Sequence, residues 1–241
     1  MKFDLHIHSE FSFDSLSKIK DIINSSKKCG LSGIAITDHN VFTKIPMNSV
    51  LNENFWLISG SEVHTELGDI IGLFIKHRLK SRESLSLINE IHDQGGIAIL
   101  AHPFKRIHNY PEEIIMHLDA IEIVNSRWVD LNLYNHVGKI KQLMKLISGR
   151  SAGSDSHFLF EIGRAYVETP TLHSLEELKK VICEGTGICC ATSFSSWLDE
   201  ASQFVNLYKK PSFYQCGRIF YRLLRRMIKD KPSKVLYERV K

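Results

Sequence analysis

No stretch of this chain approaches the roughly 18 consecutive apolar residues of a membrane-spanning helix, which excludes a helical membrane span. The opening residues, Met-Lys-Phe-Asp-Leu-His, lack the long apolar core of a signal peptide, and cleavage there would remove the first expected strand. Cysteine is scarce and unpatterned. The five residues Cys29, Cys183, Cys189, Cys190 and Cys216 are odd in number and form no C-x-x-C pair. That argues against a disulfide framework and for reduced, mostly buried thiols in a cytoplasmic protein. Cys189-Cys190 lie inside the apolar run Ile188 to Ala191 and read as strand residues rather than thiolate ligands. There is no G-x-x-x-x-G-K-S/T, hence no P-loop, and no G-x-S-x-G, hence no serine nucleophile elbow. No fixed-period repeat or low-complexity segment is found, so repeat architectures are set aside.

What remains is an ordinary globular composition, 43% hydrophobic and 24% charged, in 241 residues, enough for one α/β barrel domain. The net charge of +4 hides an asymmetry. From Val205 to Lys241 there are eleven Lys or Arg against Asp230 and Glu238, a net of +9, so the rest of the chain carries −5. An acidic body suits cation binding and a basic tail suits an anionic partner. The chain therefore divides into a body, 1–195, and a basic extension, 196–241, expected to be an amphipathic helix through Gly217 to Ile228.

Apolar strand-like runs at 2–7, 33–37, 55–61, 69–75, 97–101, 119–124, 150–154, 163–168 and 187–192 alternate with helical patterns. The helices are expected at Leu16 to Cys29, Ser81 to Gln94, Leu131 to Ile147 and Leu175 to Glu184, three of them closed by glycine. Nearly continuous apolar strands such as Ile97-Ala98-Ile99-Leu100 mark parallel strands covered on both faces. The alternation leaves an α/β barrel or an open doubly wound sheet.

Five expected strands end in imidazole or carboxylate groups. Asp4-Leu5-His6-Ile7-His8 opens the series, with Asp14 beyond it, followed by Thr37-Asp38-His39, Gly60-Ser61-Glu62, His102-Pro103-Phe104 and Gly153-Ser154-Asp155-Ser156-His157. His6 and His8, two apart on a strand, project from one face, and Asp155 with His157 repeats the spacing. A barrel gathers residues from many strand ends onto one face, whereas an open sheet gathers them near one switch point, so the barrel is favoured. The donors are nitrogen and oxygen without thiolate, which fits Zn²⁺, Mn²⁺ or Fe²⁺ rather than a zinc finger. Their number exceeds what one tetrahedral ion needs, so two or three ions per chain are expected. Such a site supplies hydroxide from bound water and clamps phosphoryl oxygens.

In their order, Asp-Leu-His-Ile-His-Ser with Asp14, Ile-Thr-Asp-His, Gly-Ser-Glu, Ala-His-Pro-Phe and Gly-Ser-Asp-Ser-His resemble the signatures of the PHP (polymerase and histidinol phosphatase) family over about residues 1–195. The resemblance implies a distorted (β/α)7 barrel and a trinuclear site that hydrolyses phosphoesters. Carried over by motif, the metal ligands are His6, His8, Asp14, His39, Glu62, His102, Asp155 and His157. Glu62 bridges two ions, and Glu62, Asp155 and His157 are the catalytic centre. Asp69 stands where many relatives carry a histidine. It is either a ninth, oxygen-donating ligand or a turn aspartate, and nearby His64 is left outside the set. Asp4 and Asp38 are expected to orient ligands. Arg127 and Arg164 are expected to meet a substrate phosphate, the alternative being solvation or pairing with a surface acid.

The expected function is metal-dependent hydrolysis of a phosphorylated small molecule or nucleotide, with nucleic acid as a further partner for the basic tail. A non-catalytic binding module and a metal-dependent amidohydrolase are the alternatives. Oligomeric state is not legible.

Overall fold

The computed structural model describes residues 1–43, 49–51, 55–103, 110–127, 142–192, 197–212, 214–219, 221 and 237–240. Its strands are β1 (Lys2–Ile7), β2 (Gly33–Ile36), β3 (Ser49–Leu51), β4 (Phe55–Thr65), β5 (Gly68–Leu73), β6 (Ile97–Leu100), β7 (Ala120–Asn125), β8 (Gly149–Gly153), β9 (Ala165–Glu168), β10 (Ile188–Thr192) and β11 (Tyr237–Val240). Among the described residues the helices are α1 (Ile19–Lys28), α2 (Ser84–Asp93), α3 (Glu112–Ile115), α4 over residues 142–146, α5 (Leu175–Glu184), α6 (Trp197–Lys209) and α7 over residues 214–219. Local chemistry sets these bounds. The Ser174 hydroxyl accepts the Glu177 amide to start α5, and Gly185 at φ 64° ends it in the left-handed conformation that favours glycine.

The strands form one sheet in the order β11-β10-β9-β1-β2-β4-β5-β6-β7-β8, with β3 beside β4. Neighbours are parallel from β1 to β4 and from β6 to β8, while β5 runs antiparallel to both β4 and β6. The barrel is closed nearly completely where the chain leaves β8. There Asp155 N donates to His6 O at 2.8 Å and His8 N donates to Ser156 O at 2.9 Å. The ring is thus β1-β2-β4-β5-β6-β7-β8, a distorted seven-stranded α/β barrel as expected. β1 divides its outer edge: Lys2 and Phe3 pair with β9, whereas its carboxyl end meets the segment after β8. Apolar side chains of β1, β4, β5, β6 and β7 fill the core, among them Phe3, Leu5, Ile58, Ile71, Ile99 and Ile121.

Several expectations shift. α1 begins at Ile19 rather than Leu16, because the Ser15 and Ser17 hydroxyls are committed to the His157 carbonyl instead of a helix start. β4 continues past residue 61 to Thr65, so Glu62 lies within a strand opposite Ile71. β11 gives the tail a strand that was not anticipated, pairing with β10. Cys189 and Cys190 are buried in β10 as expected, but Cys29 and Cys216 are exposed. Residues 131–141 of the helix expected from Leu131 to Ile147, Phe104, and residues 213, 220, 222–236 and 241 of the tail lie outside the described residues.

Candidate metal centre

Eight of the nine expected ligands converge at the carboxyl ends of the barrel strands. Three groups have ligand atoms within 4.8 Å of one another: His8, Asp14, His39 and His157; His6, Glu62 and His102; and His6, His8 and Asp155. Glu62 is the hub. Its Oε1 lies 2.9 Å from His102 Nε2, and its Oε2 lies 3.0 Å from His39 Nδ1 and 3.4 Å from both His6 Nε2 and His8 Nε2. Asp155 Oδ1 lies 3.2 Å from His8 Nε2 and 3.6 Å from His6 Nε2, while Asp14 Oδ2 lies 3.0 Å from His157 Nε2 and 3.4 Å from His39 Nε2. Two of these residues occupy strained backbone: His102 has φ 26° and Asp155 has φ 54°, a region that side-chain-bearing residues seldom adopt. Strain of this kind persists where the surrounding structure fixes it, commonly at functional sites.

The group is buried almost throughout; the His39 side chain, at 19% exposure, marks the side open to solvent. Phe13 stacks on it, with ring centroids 4.7 Å apart. Burial disfavours charge here, yet for His6, His39, Glu62 and Asp155 pairing overrides it. Desolvation would lower the pKa of His6, but the carboxylates of Glu122, Asp155 and Glu62 hold it well above the usual imidazole value. His39 is likewise raised against desolvation, by Glu62 and Asp14. Desolvation would raise Glu62 and Asp155, but the surrounding imidazoles keep both carboxyls well below the usual range. His8 is pushed down to about 3 by burial and by His157 and His39, so it is neutral, as a ligand must be.

The donors fit a metal. Glu62 Oε2 is a fully buried carboxylate oxygen with no hydrogen-bond partner, although imidazole nitrogens ring it. His6 Nε2 and His8 Nε2 face each other at 3.1 Å, a contact that leaves at least one lone pair aimed at a nitrogen unless a proton or cation intervenes. Five imidazoles and three carboxylates without a thiolate form a set for borderline divalent ions.

Outer contacts aim the ligands. His6 Nδ1 lies 3.0 Å from Glu122 Oε1, leaving Nε2 for the centre, and Glu122 Oε2 accepts the His102 amide at 2.8 Å and Asn125 Nδ2 at 3.0 Å. His157 Nδ1 is 2.8 Å from the Asp155 carbonyl, which again frees Nε2. Asp38 accepts Ser9 N, Ser9 Oγ and Thr43 Oγ1 at 2.6 Å each. Asp4 accepts the amides of Ser154 and Gly163, both at 2.9 Å, and burial pushes its carboxyl up to about 6. Both aspartates thus serve as fasteners of the ligand-bearing loops.

The remaining expected site residues lie apart. Asp69 belongs to none of the three groups: its Oδ2 is 3.8 Å from His102 Nε2 and its Oδ1 is 2.6 Å from His64 Nδ1, the histidine left out of the sequence-based set. Arg127 gives Nε and Nη2 to Glu161 at 2.8 Å each and Nη1 to Ser202 at 3.2 Å. Its fork, 4% exposed, is therefore engaged with a buried acid rather than facing solvent. Glu161 in turn accepts the amides of His157 and Phe158, both at 2.9 Å. Arg164 is half-buried at the start of β9, its carbonyl accepting Thr192 N at 2.8 Å. Sequence reading missed Glu122, Glu161 and Ser12. For Glu122 a signal existed, since a carboxylate inside Ala-Ile-Glu-Ile-Val has no place in a core without a partner.

A family model, PHP domain, matches residues 4–184. Two uncharacterised proteins of Methanocaldococcus jannaschii are similar in sequence. One is 32% identical over 161 residues, covering 61% of this chain and 94% of that protein. The other is 30% identical over 185 residues, covering 72% of each. Among solved structures, a two-domain protein of Bacteroides vulgatus, described as containing a predicted PHP-like metal-dependent phosphoesterase, superposes with a TM-score of 0.60 at 19% identity. The match covers 78% of this chain and 64% of that one, so this chain spans just under two thirds of it.

Proposed function

The chain belongs to the PHP domain family, and on that premise we propose that it is a metal-dependent phosphoesterase acting on a phosphorylated small molecule or nucleotide. The observation that carries this reading is Glu62, a buried carboxylate whose Oε2 makes no well-aligned hydrogen bond although imidazole nitrogens of His39, His6 and His8 lie 3.0–3.4 Å from it. His6, Glu62 and His102 would hold one ion, and His8, Asp14, His39 and His157 another. Asp155, with His6 and His8, completes a third set, so two or three Mn²⁺, Zn²⁺ or Fe²⁺ ions suit the donors. Such ions, when bound, lower the pKa of water and offset charge on phosphoryl oxygens.

The chain's own residues supply placement. Glu122 and the Asp155 carbonyl fix which nitrogen His6 and His157 present. Burial keeps bulk water from the carboxylates, so their charge acts in a low dielectric. The more open His39 side is the approach for an anionic substrate, and catalysis is assigned to the centre formed by Glu62, Asp155 and His157. Arg164 is the remaining candidate for a phosphate contact. The tail's net charge of +9 favours a polyanion, which directs the substrate expectation toward nucleotides or nucleic-acid ends.

Purified protein loaded with Mn²⁺ should release phosphate from an aryl phosphate or a nucleotide, and chelation should stop it. Full metal occupancy with no turnover across a broad phosphoester panel would overturn the proposal.

A further inference from the structure

Helix α6 lies beyond the family match, yet it reaches the metal centre. Lys209, its last residue, directs Nζ into the loop between β1 and α1. It donates to the carbonyls of Glu10 at 2.7 Å, Ser12 at 2.6 Å and Ser15 at 2.6 Å. An ammonium has three N–H donors, and all three are used. The same helix is tethered further back, where Ser202 accepts from Arg127 at 3.2 Å.

That loop carries Asp14. Inside it, Ser12 Oγ donates to Asp14 Oδ1 at 2.9 Å, while Asp14 Oδ2 faces His157 and His39. Ser12 is therefore held twice: its carbonyl by Lys209 and its hydroxyl by the ligand. The rest of the loop is fastened to the centre's backbone by Ser15 Oγ, which donates to the carbonyls of His8 at 3.0 Å and His157 at 2.8 Å. The ammonium closes the loop from the opposite end of the sequence. Lys209 Nζ makes all three of its hydrogen bonds on this loop and none to His6, Glu62 or His102.

We infer that Lys209 is a positioning residue for Asp14: through the carbonyls of Glu10, Ser12 and Ser15 it sets ion affinity at the His8, Asp14, His39 and His157 group, and leaves the His6, Glu62 and His102 group alone. The inference rests on the metal-dependent reading above. It assigns a role in the centre to a segment that charge alone marks as an appendage.

The test is Mn²⁺ titration of the chelator-stripped, full-length protein by calorimetry, comparing wild type with Lys209→Met, Lys209→Arg and, as a surface control, Lys210→Met. Loss of an outer contact of this kind weakens metal binding about 10- to 100-fold. The Met variant should show that loss in one binding step and wild-type affinity in another. The Arg variant should weaken the same step less, and the control should match wild type. In an Asp14→Asn background, Lys209→Met should add no further loss to that step. Unchanged steps, equal weakening of all steps, or a full additional loss in the Asp14→Asn background would each overturn the inference. If the Met variant does not fold, Lys209→Arg decides, and wild-type binding by it overturns the inference. Absence of Mn²⁺ binding by wild type itself would overturn the metal-dependent reading.

Discussion

Replacing Gly153 with alanine should damage ion binding more than it damages the fold. Gly153 ends β8 against β1, and a Cβ built there would lie 2.2 Å from His6 Cβ, 2.7 Å from His6 N and 3.0 Å from Glu122 Oε1. Carbon atoms rest at about 3.5 Å or more, so the two strands must part by about 1.3 Å, or one must rotate. The two nearer contacts, at 2.2 and 2.7 Å, are to the Cβ and backbone nitrogen of His6 itself rather than to a flexible chain end. Overpacking a core costs about 1–3 kcal/mol, which a folded domain of this size can absorb. Displacing a ligand by about 1 Å is a different matter, since errors of that size cost about a hundredfold in function. The assay pairs thermal unfolding with Mn²⁺ titration for Gly153→Ala and for Gly187→Ala. In the latter, the new Cβ meets Val167 Cγ1 at 2.5 Å, near where β1 begins. Both variants should lose stability; only Gly153→Ala should lose about two orders of magnitude in ion affinity or turnover. If Gly153→Ala binds Mn²⁺ like wild type while losing as much stability as Gly187→Ala, the transmission of strain to His6 is refuted.

Glu62→Gln should abolish turnover with partial loss of metal and little loss of fold, exceeding the effect of His102→Asn, because one carboxylate serves four histidines; near wild-type turnover would count against the assignment. Glu122→Gln should weaken Mn²⁺ binding about 10- to 100-fold without touching a ligand directly, as measured by competition with a chelating dye. His6 and His39 have raised pKa values in the folded, ion-free protein, so the stability they contribute is fully present below their unfolded value of 6.5 and is lost as pH rises through the raised values. Denaturation of stripped protein between about pH 6 and pH 9 should show that decline, while Mn²⁺ affinity should rise over the same range as the ligands shed protons. Neutral substitutions at Arg222, Arg225 and Arg226 should weaken oligonucleotide binding in a salt-dependent way and spare an aryl phosphate. Deleting residues 205–241 is expected to impair both substrates, because the deletion takes Lys209 with it.

The alternation of apolar runs narrowed the fold to an α/β barrel or an open doubly wound sheet, and the spread of imidazoles and carboxylates over five strand ends favoured the barrel and pointed to its centre. Those features are local, one strand and its terminus at a time. What escaped is relational. Nothing in Arg127 or Glu161 taken singly announces that they pair across 34 residues and brace His157. Whether Asp69 faces His102 or His64 depends on the register of the β4–β5 hairpin, which sets His64 opposite Asp69. The tail's charge was read as suited to an anionic partner, and no local pattern announced that Lys209 directs its own charge to three carbonyls of the β1–α1 loop.

The divided edge of β1 has a consequence for how the molecule assembles. His6 and His8 lie some 150 residues ahead of the backbone that flanks them, that of Asp155 and Ser156, and Phe3 pairs with Val167. Before that segment joins, β1 has β2 beside it and an open second edge, and His6, His8 and Asp14 lack the contacts of Asp155 and His157. Contacts this distant in sequence carry a loop-closure cost and slow the search. Lys209, 199 residues from Glu10, comes later still. The ion-binding pocket is thus completed by contacts distant in sequence, with α6 latching the loop that follows β1.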